Sequence, residues 1–587
     1  MRRRLILPAI PLTLAGLVLA GCAATGTGAL GQAADDTTTQ TTTAVVTDLT
    51  SSSVLAANDE ATVVEDDEWS DTDAVDIDLT GSTATTAGEG ANVDGATVTI
   101  TAGGVYRLSG ELEGSIEVAA PEDAQVVLIL DGATISNTAG PAISVTNADD
   151  VVISLAAGST NSVSDASSYA DDASANAAVY ADSDLTISGT GSLEVEGNGN
   201  DGITSTDDLA VIGGMITVDA VDDALRGKDA LVVSGGTLDL TAGGDALKSD
   251  QDDSETRGYV WLSGGEITAT SGDDGIDAAT DVVITGGTTT LSALGDTADT
   301  ESSAKGIAAG VVIAIDGGTT SIDATDDALH SDGSIGIGGG TVTVSAGDDG
   351  VHADSTLTIT DGVLTVAESY EGLEATDILI SGGTVDVTAS DDGLNGSGGS
   401  SEEETNAQGG GMGGGMADTG ETIVVSGGTL TVDAGGDGID SNGSVSITGG
   451  DILVSGPTMQ GNGALDSNGG LEVSGGTLVA LGSAGMAESP DSSSPQAWIA
   501  AAPSGSAGET IEISDAEGTV VATFTAEKEF ETVVFSSADL VSGASYTVTA
   551  SGGSSETVTT GEALAGGMGG AAGPGTGTAP GGSGQRP

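Results

Sequence analysis

Basic side chains are scarce in this chain, where 11 Lys and Arg stand against 90 Asp and Glu in 587 residues. A nucleic-acid binder needs cations to displace counterions from phosphate, so a formal charge of −79 excludes that class of partner. Aromatic residues are few as well: six Tyr, three Trp and three Phe. Rows of stacked rings for reading sugars are therefore nearly excluded. The single cysteine, Cys22, rules out any intramolecular disulfide. Leu, Glu, Lys and Arg do not dominate, which excludes a protein of long amphipathic helices. Beyond residue 21 no segment is long and apolar enough to span a bilayer as a helix. What is abundant is glycine, 96 residues of it, with Thr, Ser, Val and Asp. The 38% of hydrophobic residues fall in short β-branched runs that can bury a core.

The first 21 residues read as a signal peptide. Arg2, Arg3 and Arg4 precede the apolar stretch 5–19, and Leu19-Ala20-Gly21 leads into Cys22. That arrangement is similar to the lipobox of bacterial lipoproteins, which makes Cys22 the expected lipidation site and membrane anchor. Its acyl chains would place the protein on the extracellular face of the bacterial cell membrane. Residues 22–80, with a Thr-rich run and the acidic Glu65-Asp66-Asp67-Glu68, read as a solvated tether. Residues 561–587, rich in Gly, Ala, Thr and Pro, read as a disordered tail.

Between them the chain is periodic. Asp222-Asp223-Ala224-Leu225 stands 22 residues before Gly244-Asp245-Ala246-Leu247, and the phrase returns at Asp273-Asp274-Gly275-Ile276, Asp326-Asp327-Ala328-Leu329 and Asp348-Asp349-Gly350-Val351. Later copies include Asp391-Asp392-Gly393-Leu394 and Gly436-Asp437-Gly438-Ile439. Within each unit, alternating apolar residues such as Leu231 and Val233 precede Gly235-Gly236, and Leu238 and Leu240 follow it. Alternation predicts strand and Gly-Gly predicts a turn. Three short strands per 22-residue unit predict an all-β fold, a right-handed parallel β-helix over residues 81–488. Residues 398–421 form a Gly/Met-rich insertion within it. From 489 to 560 the pattern changes to a small antiparallel β module of sandwich type, placed to cover the end of the apolar core.

A parallel stack turns this period into columns. The residue three places after the second acidic position reads Thr204, Arg226, Lys248, Asp277, Ala308, His330, His352, Glu374, Asn395, Asp440 and Asp466. Both histidines of the chain fall in this column. They suit either a transition-metal ion or a plain solvated surface ladder. Arg226, Lys228 and Lys248 form a short basic stripe, which reads either as a site for an anionic ligand or as neutralisation of neighbouring Asp ladders. Tyr259 and Trp261, expected on one face, are candidates for a sugar-stacking spot or for core cover. Asp245, Asp250, Asp252 and Asp253, with Asp273, Asp274 and Asp277 one unit on, are candidate Ca²⁺ ligands, because oxygen-rich clusters at glycine turns suit that ion.

Several segments carry a resemblance to a family. They are Val105-Tyr106-Arg107-Leu108-Ser109-Gly110, Leu225-Arg226-Gly227-Lys228-Asp229, Gly244-Asp245-Ala246-Leu247-Lys248-Ser249, Gly258-Tyr259-Val260-Trp261 and Gly461-Asn462-Gly463-Ala464-Leu465-Asp466. In this order they resemble bacterial surface lipoproteins with a carbohydrate-binding domain on a polysaccharide-lyase-like β-helix. The resemblance implies non-catalytic binding of plant cell-wall glycans, cellulose-like and polygalacturonate-like, with calcium on the helix. The expected protein is a monomeric, lipid-anchored polysaccharide binder that prefers acidic glycans. A uronate lyase, with Lys248 or Arg226 as base beside calcium, is the enzyme alternative. A surface adhesin or spacer without a specific glycan is the third.

Overall fold

The computed structural model describes residues 48–170, 173–295, 303–398 and 418–564. The expected signal peptide, Cys22, the Gly409–Met416 run and nearly all of the tail lie outside these residues. No described helix is long and apolar enough to cross a membrane.

The protein is all-β, and its strands pair mostly in parallel. Pairing follows the sequence period. Met215–Ala220 pairs with Thr237–Ala242, placing Met215 opposite Thr237 and Ala220 opposite Ala242. Leu225–Gly227 pairs in the same way with Leu247–Ser249, and Ala230–Val233 with Tyr259–Leu262. Each repeat therefore gives one strand to each of three parallel ladders. Insertions leave the register intact: Leu247 still faces Ile276 across the loop that contains Gln251–Arg257.

Side-chain alternation explains the burial. Thr237–Ala242 buries Leu238, Leu240 and Ala242 and exposes Thr237, Asp239 and Thr241. Ile216, Val218, Leu225, Leu231 and Val233 join these in one apolar core that extends along the repeats. The Gly-Gly turns stack as well. Gly236 has φ +92°, and a Cβ on it would lie 3.0 Å from the Gly214 carbonyl oxygen one repeat earlier. A side chain there would be strained by backbone and neighbour alike.

Part of the third ladder, including Ala230–Val233, Asp281–Ile284 and Val312–Ile315, is buried on both faces. Its outer cover comes from residues 48–64, within the stretch expected as tether. The short helix Ser51–Ala57 buries Val54, and the Ser51 amide donates to Asp316 Oδ2 at 2.7 Å. Further along, Asn58 donates to Asp281 Oδ2 at 2.8 Å, the Thr62 amide to Asp208 Oδ2 at 2.7 Å, and the Val64 amide to Thr186 Oγ1 at 3.1 Å. This segment is a strap tied to successive repeats mainly by polar contacts.

Antiparallel pairing enters at the far end. Thr532–Ser536 pairs with both Thr477–Gly482 and Trp498–Ala501. Beyond it, Thr510–Asp515, Val520–Thr525, Ser545–Ala550 and Ser555–Thr559 form a separate four-stranded antiparallel sheet. Phe530, Phe535, Ile511 and Val548 fill a second apolar core there.

Candidate functional site

The second ladder assembles the polar column residue by residue. Thr204 faces Arg226, Arg226 faces Lys248, Lys248 faces Asp277, and His330 faces His352. Glu374, Asn395, Asp440 and Asp466 continue the line. Beside it stand the residues two places on. Asp250 pairs with Arg226, and Asp332 Oδ1 lies 3.3 Å from His330 Nε2.

The recurring second Asp of each unit sits under this column and is buried at Asp223, Asp245, Asp327 and Asp349. One of its oxygens has a structural task. Asp223 Oδ1 accepts the Asp245 amide at 3.0 Å, Asp245 Oδ1 the Asp274 amide at 2.9 Å, and Asp274 Oδ1 the Lys305 amide at 2.7 Å. The same bond joins Asp327 to Asp349 and Asp392 to Asp437. These corners are thus stapled to the next by carboxylate and amide. The other oxygen points at the column. Asp245 Oδ2 meets Lys248 Nζ, Asp327 Oδ2 meets His330 Nδ1 at 2.8 Å, and Asp349 Oδ2 meets His352 Nδ1 at 3.0 Å. Aspartate recurrence was visible in the sequence, but this division of labour between its two oxygens was not.

The basic stripe divides by role. Arg226 pairs with Asp250 and lies 3.7 Å from Asp201 Oδ2. Lys248 contacts Asp245, with Asp223 and Asp277 at 3.7 and 3.6 Å. Burial alone would lower the Lys248 ammonium, but these three carboxylates outweigh it and hold the group above the usual lysine range. Lys228, half-buried at the corner after Gly227, is different. Among the described residues it is the one lysine or arginine without an ion pair.

The aromatic pair lies on the neighbouring ladder. Tyr259 is buried beneath the strap, and its hydroxyl donates to the Asp59 carbonyl at 3.0 Å. It offers no open face. Trp261 is half-buried, with Nε1 donating to Thr285 Oγ1 at 3.0 Å.

Comparison with known proteins now bears on this architecture. The model of a protein family described as carbohydrate-binding domain-containing protein matches residues 94–350, 332–420 and 350–539. The chain belongs to this family. A carbohydrate-binding domain-containing protein of Acetivibrio thermocellus is 40% identical over 139 residues, 22% of this chain and 49% of that protein. The chain therefore spans about half the length of that curated relative. A solved structure, the gadolinium derivative of a polysaccharide lyase-like protein from C. thermocellum, is 33% identical. It covers 41% of this chain and 96% of its own, with a TM-score of 0.39. Family membership points to a carbohydrate-binding role.

The acidic residues separate into distinct groups. Carboxylate oxygens of Asp245, Asp273 and Asp274 lie within 4.8 Å of one another. Asp277 adjoins this trio, sharing Lys248 with Asp245, whereas Asp250 is engaged by Arg226 and Asp252 and Asp253 are exposed on the insertion. A trio outside that expectation, Asp392, Asp437 and Asp440, is equally compact. Here no lysine, arginine or histidine pairs with any member among the described residues. Burial and then repulsion from neighbouring carboxylates push Asp437 and Asp440 up to about 7 and Asp392 to about 6. An all-oxygen donor set without a counter-charge fits a hard divalent cation. The signal in the sequence was Asp440 three places after Asp437, an acid where some units carry Lys248, His330 or His352 and others carry Asp277, Glu374 or Asp466.

Proposed function

We propose that this protein is a lipid-anchored, non-catalytic binder of acidic cell-wall polysaccharide at the bacterial surface, assisted by calcium. In this reading the three ladders wind as a right-handed parallel β-helix, the hand that parallel crossovers take, capped by the antiparallel module. Residues 22–47 lead to the anchor at Cys22. Family membership supports the carbohydrate, and the polar column supports the acidic class.

The observation that carries the proposal is the trio Asp392, Asp437 and Asp440, which among the described residues lacks the counter-cation that Lys248 supplies to Asp245. A calcium ion held there would take carboxylate oxygens from the protein and keep positions for uronate oxygens. Asp245, Asp273 and Asp274 offer a second such set, with Lys248 alongside. Lys228, which no described carboxylate pairs with, would meet a glycan carboxylate directly. Lyase chemistry is less well supported, since Lys248 is held protonated by three carboxylates and makes a poor base.

Affinity electrophoresis in gels containing polygalacturonate tests the proposal. Migration should be retarded with calcium and restored by chelator, while a neutral glucan gel retards it less. Equal mobility in every gel would refute it.

A further inference from the structure

We propose that His330 and His352, with Asp327, form a binding site for a transition-metal ion of the zinc class, separate from any calcium site and flanked by Asp349. Parallel pairing sets the two imidazoles opposite one another, with ring centroids 5.0 Å apart and planes inclined at 49°. Both turn Nδ1 towards the same buried corner. His330 Nδ1 lies 2.8 Å from Asp327 Oδ2, and His352 Nδ1 lies 3.0 Å from Asp349 Oδ2 and 3.9 Å from Asp327 Oδ2. A tetrahedral ion with bonds of about 2.0 Å separates its donor atoms by about 3.3 Å. The two spacings from Asp327 Oδ2, 2.8 and 3.9 Å, bracket that value.

The surroundings suit such an ion. Asp327 and Asp349 are each only 5% exposed, and His352 is 9% exposed. Asp327 is pre-oriented, because its Oδ1 is already occupied by the Asp349 amide at 3.0 Å, leaving Oδ2 for the metal. Two imidazole nitrogens with carboxylate oxygens favour zinc-class ions over calcium, which takes oxygen alone.

A second, independent observation comes from the other ring edge. His352 Nε2 is buried without a hydrogen bond, 3.5 Å from Asp354 Oδ1, and His330 Nε2 stands 3.3 Å from Asp332 Oδ1. With Nδ1 on a metal, the one remaining ring proton sits on Nε2 and faces a carboxylate. That is the carboxylate–histidine–metal relay by which ligating imidazoles are oriented. No other described repeat puts a histidine in this place; Lys248, Asp277, Ala308 and Glu374 stand there instead, so the donor set belongs to these two repeats.

The test titrates Co²⁺ and then Zn²⁺ into the full chain, in buffer with calcium in excess so that oxygen-only sites are occupied. One equivalent of Co²⁺ should give a visible absorption band that Zn²⁺ abolishes, and Asp332→Asn should weaken binding about tenfold or more. His330→Gln with His352→Gln should lose the band. No band in the unaltered chain, or a full band in the double variant, would overturn the proposal. Because the chain has only two histidines, the ring-nitrogen resonances of the unaltered protein give a check that needs no variant. Zinc should move both Nδ1 signals, and signals that stay put would overturn the assignment.

Discussion

Asp223 accepts the backbone N–H of Asp245 through Oδ1 at 3.0 Å, stapling one corner to the same corner one repeat on. Both residues are buried, so neither the amide nor the carboxylate has ready recourse to water. Asp223→Ala should therefore cost about 1–3 kcal/mol by leaving a buried donor unmet. Asp223→Asn keeps an oxygen acceptor and should cost clearly less. Urea unfolding of the two variants checks the order. Equal losses would mean that charge, not the bond, holds the corner.

Lys228 and Arg226 lie two residues apart and should respond in opposite ways. Lys228→Ala removes a cation that no described carboxylate engages, so stability should hardly change. Binding to polygalacturonate should weaken by about 1 kcal/mol, roughly fivefold, as for a partly exposed charge pair. Arg226→Ala strands Asp250 and Asp201 and should lower the unfolding midpoint. Calorimetric binding and thermal unfolding, measured on both variants, separate the two effects.

The carboxylates that face the strap, Asp208 with Asp184, Asp207 and Asp229, make stability depend on pH. Asp208 Oδ2 accepts the Thr62 amide, and burial, then neighbouring Asp184, Asp229 and Asp207, push its carboxyl up to about 7 from 3.8. The folded state thus holds this proton more tightly than the unfolded chain. Stability is greatest where Asp208 is protonated and falls as pH rises from about 4 to about 7. Asp208→Asn retains an acceptor for Thr62 without the charge. It should flatten the fall across that window and raise the melting temperature at pH 8, read by thermal melts in chelator.

How much of this was legible depends on whether a residue shares the period. The column from Thr204 to Asp466 was readable because the ladder register preserves sequence spacing, so Arg226 faces Lys248 even though a loop follows. Asp252 and Asp253 sit on that loop, where no periodic constraint applies, and their exposure could not be read from their neighbours. Tyr259 was misleading for another reason. Its cover, Asp59, lies 200 residues away in a stretch with little apolar pattern, and the contact is a backbone carbonyl that sequence does not distinguish. The strap binds largely through such groups, with Val54 and Val64 as its buried apolar anchors. Polar docking leaves almost no periodic trace.

Calcium should reveal which acidic trio is the principal site. At a concentration about 100 times the dissociation constant, one bound ion stabilises the fold by about 2.7 kcal/mol. At Asp392, Asp437 and Asp440 it would also relieve repulsion that no described basic residue offsets. Asp437→Asn with Asp440→Asn should therefore remove most of the calcium-dependent rise in melting temperature. In chelator the same variant should be no less stable than the unaltered chain, since two half-buried like charges are gone. At Asp245, Asp273 and Asp274, Lys248 already supplies a positive charge, so Asp273→Asn should change the calcium response less. Retention of the full calcium effect in the Asp437 and Asp440 double variant would place the ion elsewhere. Loss of that effect together with loss of polygalacturonate retardation would tie the ion to the glycan.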